Sequence, residues 1–343
     1  MTLTAKELLD LSRTPEYDFL WTNEHLKDRL IFLTLGGSHA YGTNIEGSDI
    51  DIRGVCLHRP QDLLGLQQFE QVIDNPTDTT IYAFNKLISL LLSCNPNCIE
   101  LLGCKPEHYF VMTDIGREFI ANRKMFLSKR AVNSFGGYAI AQLNRMKNNL
   151  ARHTYIQPEK EEHMLSSMKQ AMLTFNDKYT EFEDGSIKLF IDKSDKTELE
   201  TEIFADVNLK SYPLRDYKAI WSELNNIVKD YGKINTRNKK KDDMHLNKHA
   251  MHLVRLYLMC LDILEKEKII TYREDDIEML MSIRNGKYQK ADGTYDQEFF
   301  DMIKDYEKRL EYAAENTSLP KNPDYRLVEE WVMSVNRRSI LDE

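Results

Sequence analysis

Long apolar runs are missing from this chain. None approaches the ~20 residues that crossing a bilayer requires, and the longest, Leu87 to Cys94, is broken by Ser89 and Ser93. A transmembrane protein is therefore not expected. Cysteine is scarce: five residues, an odd number without framework spacing, suggest reduced thiols in a cytoplasm-like compartment. The opening stretch, MTLTAKELLDLSRTPEYDFL, is amphipathic and acidic, without the basic start and apolar core of a secretory signal. Positive charge is not in excess either. Lys and Arg number 46 against 55 Asp and Glu, a net charge of −9, which argues against binding nucleic acid through bulk charge. No GxGxxG, P-loop lysine, HExxH or nucleophile-elbow motif is present, and no internal repeat.

What remains is a folded, soluble composition. With 42% hydrophobic, 29% charged and 10% aromatic residues the chain is globular rather than disordered, and 343 residues suit about two domains. Charge is segregated along it. Residues 177–206 are acid-rich, whereas basic residues gather at Arg117, Arg123, Lys124, Lys129 and Arg130, at Arg145, Lys147 and Arg152, and in the lysine-rich stretch 233–241. Each basic cluster is either a solvated surface or a polyanion-binding face.

The expected fold is α+β. A short helix and a second amphipathic segment, Asn23 to Arg29, lead into a nearly all-apolar strand, Leu30 to Leu35, which should be buried on both faces. A second strand, Asp49 to Cys56, alternates, placing Asp49, Asp51 and Arg53 on one side and Ile50 and Ile52 on the other. Phe69–Ile73 and Thr79–Phe84 flank a turn-rich stretch compatible with an antiparallel hairpin. Lys86 to Ser93 follows as a core-facing helix ended by Asn95-Pro96. These elements make a small mixed-sheet core, residues 1–112. Residues 113–343 read as a larger, mainly helical domain. Its helices are expected at 117–126, 132–149, 161–179, 214–231, 245–266, 275–284, 297–316 and 325–338. Thr271-x-x-Glu274 suggests a capping box, and Pro323-Asp324 suits a first helical turn. Ser186–Asp192 and Glu202–Asn208 break the pattern as an acidic β excursion.

The chemistry is concentrated between residues 35 and 54. Gly37-Ser38 directly follows a buried strand, where glycine lets backbone N–H groups approach an anion and the hydroxyl adds a donor. Asp49-x-Asp51 supplies two hard anionic ligands on one strand face, a pattern suited to Mg²⁺ held by carboxylates and substrate phosphates together. Three charges on a half-buried strand are costly unless something compensates them. A phosphate cradle beside a metal-binding pair makes a phosphoryl- or nucleotidyl-transfer site.

Gly37-Ser38, ten intervening residues and Asp49-Ile-Asp51 together resemble the signature of the DNA polymerase beta superfamily of nucleotidyltransferases. The fuller string, Gly-Ser-His-Ala-Tyr-Gly-Thr with Ser-Asp-Ile-Asp-Ile-Arg-Gly, is similar to its branch associated with RNA-repair operons and phages. Asn95-Pro96-Asn97, Glu100-Leu-Leu102, Phe135-Gly-Gly-Tyr138-Ala with Gln142, Lys248-His249 with His252 and Arg255, and Ile283-Arg-Asn-Gly286 extend the likeness. The resemblance implies transfer of a nucleoside monophosphate from an NTP to a hydroxyl with release of pyrophosphate, dependent on Mg²⁺ or Mn²⁺. Gly37 and Ser38 would hold the β- and γ-phosphates, and Asp49 and Asp51 the metals. A third carboxylate, which activates the attacking hydroxyl, would be Asp78, with Glu70 and Asp74 as alternatives. RNA is the first choice of acceptor, while a toxin-type modifier of protein or tRNA, or a degenerate nucleotide-binding protein, would carry the same motif.

Other residues have two readings each. Arg53 would pair with the aspartates or contact the triphosphate. His39 and Tyr41 border the expected nucleotide, and Tyr41 would stack on it or serve as a packing plug. His245, His249 and His252 share one helix face with Arg255. Zinc binding there lacks a matching Cys or Glu; Lys248, His249, His252 and Arg255 would instead line the cleft or satisfy neighbouring helices. Cys94, Cys98 and Cys104 lack a knuckle spacing and read as buried small hydrophobes.

Overall fold

The computed structural model describes residues 3–154, 158–159, 161–162, 165–166, 187–196, 200–208, 225, 243–291 and 293–341. The apolar hexapeptide forms β1, Leu30–Leu35, with every residue buried. It sits in a five-stranded mixed sheet of order β3-β4-β2-β1-β5, where β2 is Ile52–Cys56, β3 Gln71–Asp74, β4 Thr79–Ala83 and β5 Tyr109–Met112. β1 runs antiparallel to both β2 and β5, β2 parallel to β4, and β3 antiparallel to β4.

Both faces of β1 are covered, which explains why its sequence does not alternate. Leu33 and Leu35, with Ile52 and Ile81, meet Leu8, Tyr17 and Leu20 from the N-terminal helical segments. Phe32 points the other way, toward Phe119 at 6.0 Å between ring centroids. There Phe84, Phe119 and Phe126 surround Trp331, whose indole N–H donates to Glu118 at 2.6 Å. Arg338 also pairs with Glu118 and, as its main influence, holds that carboxyl below its ordinary pKa.

Trp331 and Arg338 lie on the helix Tyr325–Leu341, so the last helix shares a core with the sheet. The chain accordingly divides differently from the boundary expected near residue 112. One compact unit comprises Met1–Gln142, Ala250–Lys287 and Gln297–Glu343; the other comprises Leu143–His249 and Tyr288–Asp296. The second unit contains the acidic β excursion, an antiparallel hairpin of Ile187–Lys193 and Thr201–Val207 in which Phe190 stacks on Phe204 at 5.9 Å.

Several local expectations change. β2 begins at Ile52 rather than Asp49, because β1 ends at Leu35 and the last rung runs from the Gly36 N–H to the Asp51 carbonyl, 2.8 Å. Asn95-Pro96 ends one helix, Phe84–Leu92, and starts another, Pro96–Ile99: the Asn95 side chain caps it and Pro96 needs no N–H partner there. Thr271 is not a helix cap; its buried hydroxyl donates to the Glu100 carbonyl, and the helix Ile277–Arg284 starts after a 3₁₀ turn. Asp324 is an N-cap rather than a first-turn residue, accepting from the N–H groups of Arg326 and Leu327 at 3.1 Å. β5 was not expected: Tyr109-Phe-Val-Met112 is too short to show a period. The expected helix 214–231 and most of 161–179 lie outside the described residues. Among the described residues, no helix is long and apolar enough to cross a membrane.

Candidate active site

At the end of β1 the chain turns sharply. Gly36 precedes a five-residue helical turn, Gly37–Tyr41, and Gly37 has φ +55°, a left-handed conformation that side chains resist. Space gives a second reason for glycine. A Cβ on Gly37 would lie 1.8 Å from Asp51 Oδ2 and 2.7 Å from its Cγ. The Asp51 carboxylate is thus laid directly against the backbone of the Gly37-Ser38 bend. The Gly37-Ser38 bend and Asp51, one from each half of the sequence motif, meet in one place.

Register brings Asp78 to the same place. Ile52 is paired with Thr79 across the parallel β2–β4 contact, so Asp51 and Asp78 are neighbours just before their strands. Arg53 ties them together: its Nη2 lies 3.3 Å from Asp51 Oδ1 and 3.0 Å from Asp78 Oδ1, and its Nη1 donates to the Asp78 carbonyl. Asp78 has φ +45°, which aspartate tolerates better than most residues, and its side chain is 58% exposed. An ion pair this open to solvent is worth ~0–1 kcal/mol, so a ligand can replace it at little cost. Asp49 lies two residues before Asp51 and is exposed.

The alternatives to Asp78 are committed elsewhere. Asp74 is at the same end of the sheet but accepts from the N–H and hydroxyl of Thr77 at 3.1 and 2.7 Å, closing the β3–β4 turn. Glu70 is at the far end of that pair, where its carbonyl accepts from the Ala83 N–H and its carboxylate meets Lys86 at 2.7 Å.

Tyr41 and Arg255 form a buried group with Glu100, the packing alternative among the readings open to them. Both are about 95% buried. The Tyr41 hydroxyl donates to the Glu100 carboxylate, 2.8 and 3.0 Å to its two oxygens. Arg255 pairs with Glu100 at 3.1 Å and lays its guanidinium 3.7 Å over the Tyr41 ring. Burial raises the Tyr41 hydroxyl's pKa well above its ordinary value. With one face under a guanidinium and its hydroxyl on a carboxylate, this ring is not available to stack on a base. His252 packs edge-on to Tyr41 at 6.3 Å. Lys248 is exposed and, with His249, belongs to the second unit; the side chain of His245 is outside the described residues.

His39 approaches the Ser48 carbonyl at 3.4 Å. Among the described residues, no three His, Cys, Asp or Glu side chains converge into a ready-made cation cage. The cysteines are free; Cys94 and Cys98 are buried, and burial pushes the Cys98 and Cys104 thiols up to about 12. Part of the first basic cluster is engaged locally: Arg117 with Asp114, Arg123 with the Ile120 carbonyl, Arg130 with the Leu92 carbonyl. The side chains of Arg145, Lys147 and Arg152 and the whole of 233–241 lie outside the described residues.

Sequence reasoning passed over Glu100 as anything but part of a likeness. Its signal was an acidic residue inside an otherwise apolar run, Cys98-Ile-Glu-Leu-Leu102, where a charge needs a partner.

Comparison with known protein families finds a likeness over the N-terminal part of the chain. Residues 15–174 match RlaP, described as the RNA repair pathway DNA polymerase beta family. That span contains the bend, all three aspartates, Arg53 and Glu100. No curated protein and no solved structure matches the chain.

Proposed function

We propose, from the match of residues 15–174 to the RNA repair pathway DNA polymerase beta family, that the protein transfers a nucleoside monophosphate from an NTP to a hydroxyl, with an RNA end or tRNA as acceptor. One observation carries the reading: the Asp51 carboxylate rests against the Gly37 backbone, and Arg53 joins it to Asp78. A single bound triphosphate could therefore meet the bend and the acids at once.

The side chains suit this work. Three carboxylates against one guanidinium leave two formal negative charges, the complement of a divalent cation. The oxygen donors are hard, which suits an ion that arrives on a triphosphate and takes part of its coordination from phosphate oxygens. Asp49, Asp51 and Asp78 would hold Mg²⁺ or Mn²⁺, which when bound supplies charge neutralisation and alignment of the phosphates. Ser38 and the amides of the bend face the β- and γ-phosphates. Arg53, released from its exposed pair with Asp78, stays beside the reacting groups and offers its fork to phosphate oxygens. The acceptor oxygen forms the new bond to the α-phosphorus, the bond to the bridging oxygen breaks, and pyrophosphate departs. Asp78, the most open of the bridged pair, takes the acceptor's proton.

The test is direct. Protein is incubated with each α-³²P NTP, Mg²⁺ or Mn²⁺, and separate pools of tRNA, short RNA and cell protein. Label in an RNA pool with release of pyrophosphate is the expected result. Label confined to protein would reassign the acceptor, and label in no pool with any NTP would overturn the proposal.

A further inference from the structure

Behind the bend lies a buried polar group that no step of the transfer uses. Tyr41, Glu100 and Arg255 come from three separated segments: the helical turn Gly37–Tyr41, the 3₁₀ turn Glu100–Leu102 and the helix Asp243–Lys266. Each is at most 6% exposed. A buried ion pair is weak grounds for stability, since apolar side chains of similar volume often pack as well. What it provides is direction. The hydroxyl must point at the carboxylate, and the guanidinium must lie flat on the ring.

The surrounding backbone is held as well. The Thr271 hydroxyl fixes the Glu100 carbonyl, the Arg273 N–H donates to the Tyr41 carbonyl at 3.1 Å, and Arg284 donates to the Thr43 carbonyl. The Thr43 N–H in turn donates to the Ser38 carbonyl at 2.9 Å. Tyr41 stands one helical turn after Gly37, so a shift of its ring is passed to the amides of Gly37 and Ser38.

We propose that Glu100 and Arg255 are positioning residues which, through Tyr41, hold the Gly37–Ser38 bend in its phosphate-accepting shape before the nucleotide arrives. The inference rests on the nucleotidyltransferase reading for its purpose, though not for its geometry. A bend held in place binds at full affinity, whereas one that is competent a tenth of the time binds about tenfold more weakly, without change in the chemistry once occupied.

The experiment compares wild type with Tyr41→Phe, which keeps the ring under Arg255 and removes only the hydroxyl. Arg255→Met is a second variant that keeps most of the volume. Two quantities are read: amide exchange of residues 36–43 against that of β1, and affinity for the best-bound α,β-methylene NTP with Mg²⁺. The expected result is faster exchange at 36–43 with β1 unchanged, an affinity about tenfold weaker, and unaltered binding stoichiometry. Turnover at saturating NTP should stay within about twofold of wild type, because occupancy rather than chemistry is affected. Unchanged exchange or unchanged affinity in both variants would overturn the inference, as would exchange that rises equally in β1. If wild type binds no triphosphate, the nucleotidyltransferase reading fails, and the exchange comparison still decides whether the three residues hold the bend.

Discussion

Replacing Gly37 by alanine tests the meeting of bend and carboxylate with one methyl group. The added Cβ would sit 1.8 Å from Asp51 Oδ2, against roughly 3.5 Å for an ordinary contact. Either the carboxylate retreats by more than about 1 Å or the bend unwinds. The left-handed backbone at φ +55° adds ~1–2 kcal/mol of strain for any residue with a Cβ. Displacing a reacting group by ~1 Å can cost ~10²-fold in rate, so NTP transfer should fall at least that far. The stability loss should be only ~1–3 kcal/mol, because the site lies just past the ends of the strands rather than in the core. Gly47→Ala is the control: φ is +78° there, but nothing lies within 4 Å of the added carbon, so it carries the strain without the clash. Label transfer and urea denaturation measure the two effects. Transfer by Gly37→Ala within threefold of Gly47→Ala would refute the reasoning.

Other outcomes follow from the same geometry. Asp78→Asn should abolish transfer in the label assay, whereas Glu70→Gln should leave it within about twofold, since Glu70 faces Lys86 at the far end of the sheet. Asp74→Ala should cost ~1 kcal/mol in urea denaturation by freeing the β3–β4 turn and should retain most of the activity. Burial pushes Cys56, Cys98 and Cys104 from an ordinary 9.0 up to about 12, so iodoacetamide at pH 8 should label them only after unfolding. The sign for stability follows from the raised values. Below about pH 9 both states keep these protons; above it the unfolded chain releases them first, so stability should fall progressively from pH 9 toward 12, as pH-dependent denaturation would record.

The sequence makes the centre of this site legible because local rules and global placement agree there. Leu30–Leu35 is apolar enough to demand two covered faces, and a strand so covered must end where Gly36-Gly37 releases it. The alternation through Asp51 and Arg53 then fixes which side chains share a face, although Asp49 falls beyond the last rung of the sheet. Asp78, Glu70 and Asp74 are less easily told apart in the sequence. The nearness of Asp78 to Asp51 comes from β4 running parallel to β2, a long-range pairing with no local signature. Tyr41 and Arg255 carry two readings in the sequence for a related reason. A tyrosine after a glycine-rich bend looks the same in sequence whether it meets a base or a buried carboxylate 59 residues away. Trp331 completes an aromatic core begun by Phe84 and Phe119, a contact between residues far apart in the chain that no periodicity reports.

The central claim is that the acids and the bend hold one cation and one triphosphate together. Electron paramagnetic resonance of Mn²⁺, titrated into the protein with and without NTP, measures this most directly. Tight Mn²⁺ binding that requires NTP in wild type, and is lost in both Asp51→Asn and Asp78→Asn, is the predicted result. NTP-dependent Mn²⁺ binding that survives both substitutions would contradict it.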